Sequence, residues 1–263
     1  MTDPLYSLIT IVNKEDVYQA FKAGLEKQTG VEYELIRINN ENNEYNSARK
    51  AFNDAAKKAK GKYLVFLHPD IRFLNEHALK DVLDQIRSLP KDFGVAGIAG
   101  SPKELVANDR IILTTIIHGD NKEHVGRPIT GPTPVQTLDE CFFVISRDYW
   151  KKRPFPLKEG WHLYAVEQCL LAQKDQRENY VVPAAIWHTS DGKSEDFRYT
   201  LQVKQLIKEY RTQTASINTT VKRWPTRGLG AKMFVNAYLV KMYLKYLLKN
   251  KRVQRHMKTR TLS

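Results

Sequence analysis

The stretch Phe66-Leu67-His68-Pro69-Asp70 holds the residue types best suited to chemistry in this chain. The apolar run Tyr63 to Leu67 reads as a buried parallel strand, and a histidine and an acid follow where it leaves its sheet. Open α/β sheets bind ligands outside the carboxyl ends of their strands. A carboxylate there can hold a hard divalent cation, and the cation can hold a diphosphate. The pattern points to an enzyme acting on a nucleotide-activated substrate. Taken alone, Asp after Pro at a strand end is also the signature of a turn or a helix cap, so the surrounding elements decide between the two.

Those elements alternate. Leu5 to Val12 reads as a first strand, and Asp16 to Gln28 as a helix with Val17, Ala20, Phe21, Gly24 and Leu25 on one face. Tyr33 to Ile38 is a second strand, followed by an Asn-rich loop from Asn39 to Asn46 and a helix from Ser47 to Ala59. After the third strand, Glu76 to Leu89 is helical by period and Phe93 to Ala99 is a fourth strand. This order predicts an α/β fold with a parallel, Rossmann-like sheet. The alternation then breaks. Arg110 to Ile117 is strand-like, His118 to Pro134 is loop-rich, and Val135 to Ser146 gives one or two strands around Asp139 and Glu140. Leu163 to Gln173 is a helix, Tyr180 to Ile186 a strand closed by Trp187-His188, and Asp196 caps a helix reaching Tyr210.

The chain has 263 residues with 42% hydrophobic content, enough for one large domain with an appendage. Cys141 and Cys169 sit in apolar segments and read as small core residues, which suits a reducing cytosol. The start Met1-Thr2-Asp3-Pro4 lacks a basic region followed by an apolar stretch, so no secretory signal is expected. No run has the length of uninterrupted apolar sequence that a membrane span needs. The net charge of +13 is unevenly placed: Tyr210 to Ser263 contains 13 of the 42 bases and no acid, and the remaining bases balance the 29 acids. Such asymmetry points to an anionic surface as partner. From Gly230 to Lys249 the tail reads as a helix crowded with apolar residues, with Lys241, Lys245 and Lys249 at four-residue spacing. A Lys-rich amphipathic helix suits an anionic membrane, and equally a helix packed on the body with a solvated Lys face. Nucleic acid fits the charge, but no reading motif accompanies it.

Four stretches, in order, carry a family resemblance: Asn46-Ser47-Ala48-Arg49, Phe66 to Asp70, Gly160-Trp161-His162-Leu163-Tyr164 with Glu167 beyond, and Trp187-His188-Thr189-Ser190. Together they resemble the family-2-type glycosyltransferases of the GT-A fold. The bacterial branch with His-x-Asp in place of Asp-x-Asp is the nearest, and the resemblance covers roughly Ser7 to Gly192. It implies a GT-A domain, a mostly parallel mixed sheet flanked by helices, over residues 1–210 and a basic helical extension over 211–263. It also implies metal-dependent, inverting transfer of a sugar from a nucleotide diphosphate to an acceptor hydroxyl. Asp70 and His188 would hold Mn²⁺ or Mg²⁺, a neutral imidazole suiting Mn²⁺. His68 would contact ribose or phosphate. Asn13, Asn39 and Asn40 would lie near the base and ribose, and Arg49 near the base or the third-strand loop. Trp161, His162 and Tyr164 would wall the acceptor.

The sequence departs from the family twice. Relatives carry an Asp after the second strand, where this chain has Asn39-Asn40; a UDP-sugar is favoured, but the base is left open. Relatives also carry the catalytic carboxylate where this chain has Ala165. Glu167 is the first candidate to replace it, ahead of Asp139 and Glu140. The resemblance further suggests a glycan or lipid-linked acceptor in surface polysaccharide assembly, with the enzyme cytoplasmic and peripheral at the inner face of the cell membrane. The rival readings are a nucleotidyltransferase, whose Gly-rich loop Asn13-Lys14-Glu15-Asp16 does not supply, and a non-catalytic membrane or nucleic-acid adaptor on a degenerate domain.

Overall fold

A computed structural model describes residues 4–105, 111–190 and 196–260. The chain divides into two compact units, one of residues 1–192 and 218–223, the other of residues 193–217 and 224–263.

The larger unit opens with β1 (Tyr6–Val12), α1 (Glu15–Leu25), β2 (Tyr33–Asn39), α2 (Ala48–Ala56) and β3 (Tyr63–Leu67). Every residue of β1 is buried, because it lies between β2 and β3, parallel to both, with helices on each face. Alternate side chains feed two cores. Leu8, Val12, Val65 and Leu67 join Phe21 and Leu25 of α1, whereas Ile9, Leu64 and Phe66 join Phe52 and Ala55 of α2. Ser47 caps α2 through its hydroxyl, which accepts from the Lys50 amide.

The chain continues through β4 (Ile71–Phe73), α3 (Ala78–Arg87), β5 (Ala96–Gly97), β6 (Ala99–Ser101), β7 (Leu113–Thr114), β8 (Ile117–His118) and β9 (Glu123–His124). Then follow β10 (Thr133–Val135), β11 (Thr137–Leu138), β12 (Phe142–Ser146), α4 (Arg147–Lys152), α5 (Tyr164–Lys174), β13 (Asn179–Val181) and β14 (Ile186–His188). The main sheet has seven strands in the order β10-β13-β5-β12-β3-β1-β2. Five run one way, and β12 and β10 run against them.

Two expected strands prove to be divided. The fourth becomes β5 and β6, in different sheets, and β5 is separated from β3 by the antiparallel β12. The run from Tyr180 to His188 becomes β13 in the main sheet and β14 in a smaller one. Pro183 lies between them and has no amide to continue a ladder. The smaller sheet has the order β4-β14-β8-β9. Its register sets His188 opposite Ile71 on β4 and opposite His118 on β8. This sheet brings two distant parts of the sequence to one place.

The smaller unit contains α6 (Phe197–Tyr210) and α7 (Gly228–Arg260). Asp196 caps α6, accepting from the amides of Arg198 and Tyr199. Phe197 packs on Tyr243 and Tyr246, and Trp224 on Tyr199, Phe234 and Tyr238. No helix among the described residues is long and apolar enough to cross a membrane.

Candidate active site

At the carboxyl end of β3 the chain turns through His68-Pro69-Asp70 straight into β4. Because Ile71 pairs with His188, Asp70 lands beside that histidine, and its backbone carbonyl accepts from both the amide and the hydroxyl of Thr189. Asp70 Oδ1 stands 3.3 Å from His188 Nε2 and 3.9 Å from His68 Nδ1. One ligand atom from each of the three residues lies within 4.8 Å of the others.

The cluster is not satisfied internally. Asp70 Oδ1 and both ring nitrogens of His188 are buried without a hydrogen-bond partner among the described residues. The 3.3 Å approach gives charge attraction but not an aligned hydrogen bond. Burial would raise the Asp70 carboxyl, but the two rings beside it outweigh burial and hold it at about 2. Burial would likewise lower His188, and the carboxylates of Asp70 and Asp139 outweigh it, leaving the ring raised. His68 is lowered, burial dominating the attraction of Asp70. A carboxylate and two imidazoles, with orphaned atoms on Asp70 and His188, form a donor set that fits a divalent ion. His68 Nε2 is 2.8 Å from the Tyr164 hydroxyl, a contact that fixes the ring and leaves Nδ1 on the Asp70 side.

The cluster borders an open cleft of about 390 Å³ lined by Asn13, Lys14, Val17, Asp70, Trp161 and Tyr164, with His68, Ala48 and Phe52 also on its wall. Tyr164 begins α5 directly after Leu163, whose φ of 62° is left-handed. That conformation costs a non-glycine residue about 1–2 kcal/mol. The turn directs the Tyr164 ring at Phe52 and its hydroxyl at His68.

The profile of the glycosyltransferase-like family matches residues 7–210, most of the chain. The chain belongs to this family. Among solved structures it is similar to the mannosyltransferase PcManGT from Pyrobaculum calidifontis in complex with GDP-Man and Mn²⁺. The identity is 10%, the TM-score 0.53, and the match covers 80% of this chain and 64% of that one. It is also similar to TarS of S. aureus, at 18% identity and a TM-score of 0.48, over 77% of this chain and 39% of that one. The chain thus spans less than two thirds of either structure's length. At 10% identity the likeness to the mannosyltransferase speaks for the fold alone, that of the GT-A enzymes. No curated protein sequence matches the chain.

Within this glycosyltransferase-family chain, the residues singled out by sequence fall into three groups. Asn13, His68, Asp70, Trp161 and Tyr164 line the cleft, and His188 touches Asp70. Asn40 is buried behind Asn13: its amide donates to Asn13 Oδ1 while its own oxygen accepts from the Tyr45 amide. Asn40 therefore orients Asn13 and is not itself on the cleft wall. Asn39 is exposed, accepts from the Glu41 amide and is absent from the wall. His162 contributes its backbone carbonyl to Arg49.

Arg49 and Glu167 are each other's partners. Each is 1% exposed, and they form a buried ion pair at 3.1 Å, with Lys158 on the other oxygen of Glu167. Arg49 joins the helix after the second strand to the segment before α5. Glu167 has both oxygens committed to cations, one to Arg49 and the other to Lys158.

Asp139 and Glu140 take different surroundings. Asp139 accepts from the Cys141 amide and the Thr220 hydroxyl. Burial would raise it, but His188 and these two donors outweigh burial, and it is lowered. Glu140 Oε1 accepts from the Tyr164 amide at 2.7 Å, at the start of α5 where Ala165 offers no carboxylate. Burial and the neighbouring Asp139 push Glu140 up to about 8.

The sequence reading missed Lys14, a cation on the cleft wall, and His118, whose ring packs edge-on against His188 at 5.3 Å between centroids. A signal for His118 existed: the β-branched run ending Ile117-His118-Gly119 has the same form as the strand ending Trp187-His188.

Proposed function

We propose that this chain transfers a sugar from a nucleotide-diphosphate donor, with UDP-sugar favoured, to an acceptor hydroxyl, with inversion at the anomeric carbon. The observation that carries the proposal is the set of orphaned ligand atoms on Asp70 and His188, with His68 beside them, on the edge of an open cleft. Asp70, His188 and His68 would hold the divalent ion, and a mixed nitrogen and oxygen donor set suits Mn²⁺ better than Mg²⁺. Such an ion, when bound, neutralises charge on a departing diphosphate.

The chain's own side chains do the rest. Lys14 brings a fixed positive charge to the same wall for the phosphates. Asn13, held by Asn40, offers hydrogen bonds to the base or ribose. Trp161 offers an aromatic face to a sugar ring. Glu140 is the proposed base. Its carboxylate takes the proton of the acceptor hydroxyl as that oxygen bonds to the anomeric carbon, and the diphosphate leaves with the electron pair of the broken C–O bond. A basic group of this strength suits proton removal near neutral pH. The acceptor we favour is a glycan carried on a lipid, met at the inner face of an anionic membrane in surface polysaccharide assembly. The uneven charge of the chain supports that location.

The test is a screen of UDP- and GDP-sugars read by nucleotide release, with and without EDTA. One donor should release its nucleotide, and EDTA should abolish the release. Silence with every donor, together with no binding by calorimetry, would overturn the proposal.

A further inference from the structure

The exposed face of α7 is apolar where an ordinary surface helix is polar. Ala231, Val235 and Met242 are buried and fall within about 40° of one another at 100° per residue. Leu229, Met233, Val240, Leu244 and Leu247 fall within about 60° of one another, centred on the opposite side. They are open to solvent, Met233 at 64%, Val240 at 58% and Leu244 at 53%. The helix therefore has two apolar faces, and only one of them is covered. Of the three lysines in the expected stripe, Lys241 borders this face, whereas Lys245 and Lys249 turn away from it. Lys232 flanks the exposed apolar face on one side and Lys241 on the other. At the start of the helix Arg211, Arg227 and Lys232 surround Leu229 in an open cavity. The sequence adds five more bases between Lys251 and Arg260, and there is no acid from Tyr210 to the end.

We infer that this face is a membrane-docking surface that lies in the plane of an anionic lipid leaflet, with its leucines in the acyl boundary and its flanking cations among the headgroups. The charge pattern selects this occupant. A second copy of the chain would set Lys232 and Lys241 against further cations, with no acid on the helix to pair with them. An anionic leaflet satisfies the apolar stripe and its cationic borders together. The helix is too polar to cross, so it would lie on the surface. The inference goes beyond the transfer reaction and does not depend on it.

The test uses the full chain with vesicles of phosphatidylcholine alone and of phosphatidylcholine with phosphatidylglycerol. The chain should float with the anionic vesicles, not the neutral ones, and less so as salt rises. The double variant Val240→Gln/Leu244→Gln keeps the net charge and alters exposed positions. It should lower partition by at least about tenfold, with an unchanged melting temperature and unchanged donor binding by calorimetry. Lys232→Gln/Lys241→Gln should lower anionic binding without creating neutral binding. Equal flotation of the apolar variant and the parent chain would overturn the inference. So would a concentration-dependent dimer, seen by sedimentation and abolished by Val240→Gln/Leu244→Gln, which would give the face to a second copy. Donor binding is read separately, so a failed transferase reading leaves the vesicle result standing.

Discussion

Two polar clusters in the larger unit have opposite characters. Arg49, Glu167 and Lys158 form a buried ionic triad in which both carboxylate oxygens are engaged. Asp70, His188 and His68 gather within 4.8 Å of one another, yet leave Asp70 Oδ1 and both His188 nitrogens without hydrogen-bond partners. Leaving a buried polar atom unsatisfied costs about 1–3 kcal/mol, so a fold keeps such atoms where something else fills the place. The satisfied cluster ties α2 to the segment before α5, and the unsatisfied one is the proposed metal site.

That contrast can be broken first at Glu167. Glu167→Gln removes the paired carboxylate of the buried Arg49 and the half-buried Lys158, and should cost about 3–5 kcal/mol in urea unfolding. An unchanged urea midpoint with lost activity would return Glu167 to the reaction. Asp70→Asn should do the reverse. Activity should fall on the order of 10²- to 10³-fold in a steady-state assay, while the lost attraction of the two rings lowers stability by only about 1–2 kcal/mol.

Glu140→Gln sharpens the comparison, because Glu140 lies between the two clusters in character: bonded at one oxygen, yet pushed up to about 8. It should lower kcat about a hundredfold. In the parent chain kcat should climb with pH towards a plateau above about 8, as the carboxyl loses its proton. Stability has the opposite sign. The folded chain holds this proton to higher pH than the unfolded chain, so unfolding free energy should fall as pH rises from the ordinary carboxylate range to about 8. Glu140→Gln should flatten that decline. Asn13→Ala should be the smallest change, raising donor KM by about three- to tenfold with kcat retained.

Much of this was legible in the sequence, and the losses have physical causes. The strand from Tyr63 to Leu67 and the turn that follows could be read because a buried parallel strand is a continuous apolar run. The meeting of Asp70 with His188 could not be read from local pattern. It depends on β4, three residues long and too short for any period to show. Glu167 misled because its type and helix position suit a base, whereas its fate is set by Arg49, 118 residues away in sequence. Glu140 was visible as an acid after a strand, but its bond to the start of α5 is a tertiary fact. On α7 the period marked a helix, and apolar residues on both faces hid which one the fold would cover.

The central claim is that Asp70 and His188 together hold a divalent ion against a nucleotide diphosphate. Its most direct test is titration of Mn²⁺ into the full chain, followed by electron paramagnetic resonance, with UDP or GDP present. The account predicts one ion per chain, lost in both Asp70→Asn and His188→Asn while both variants melt only a few degrees below the parent chain. Undiminished Mn²⁺ binding in the two variants, or nucleotide binding indifferent to EDTA, would contradict it.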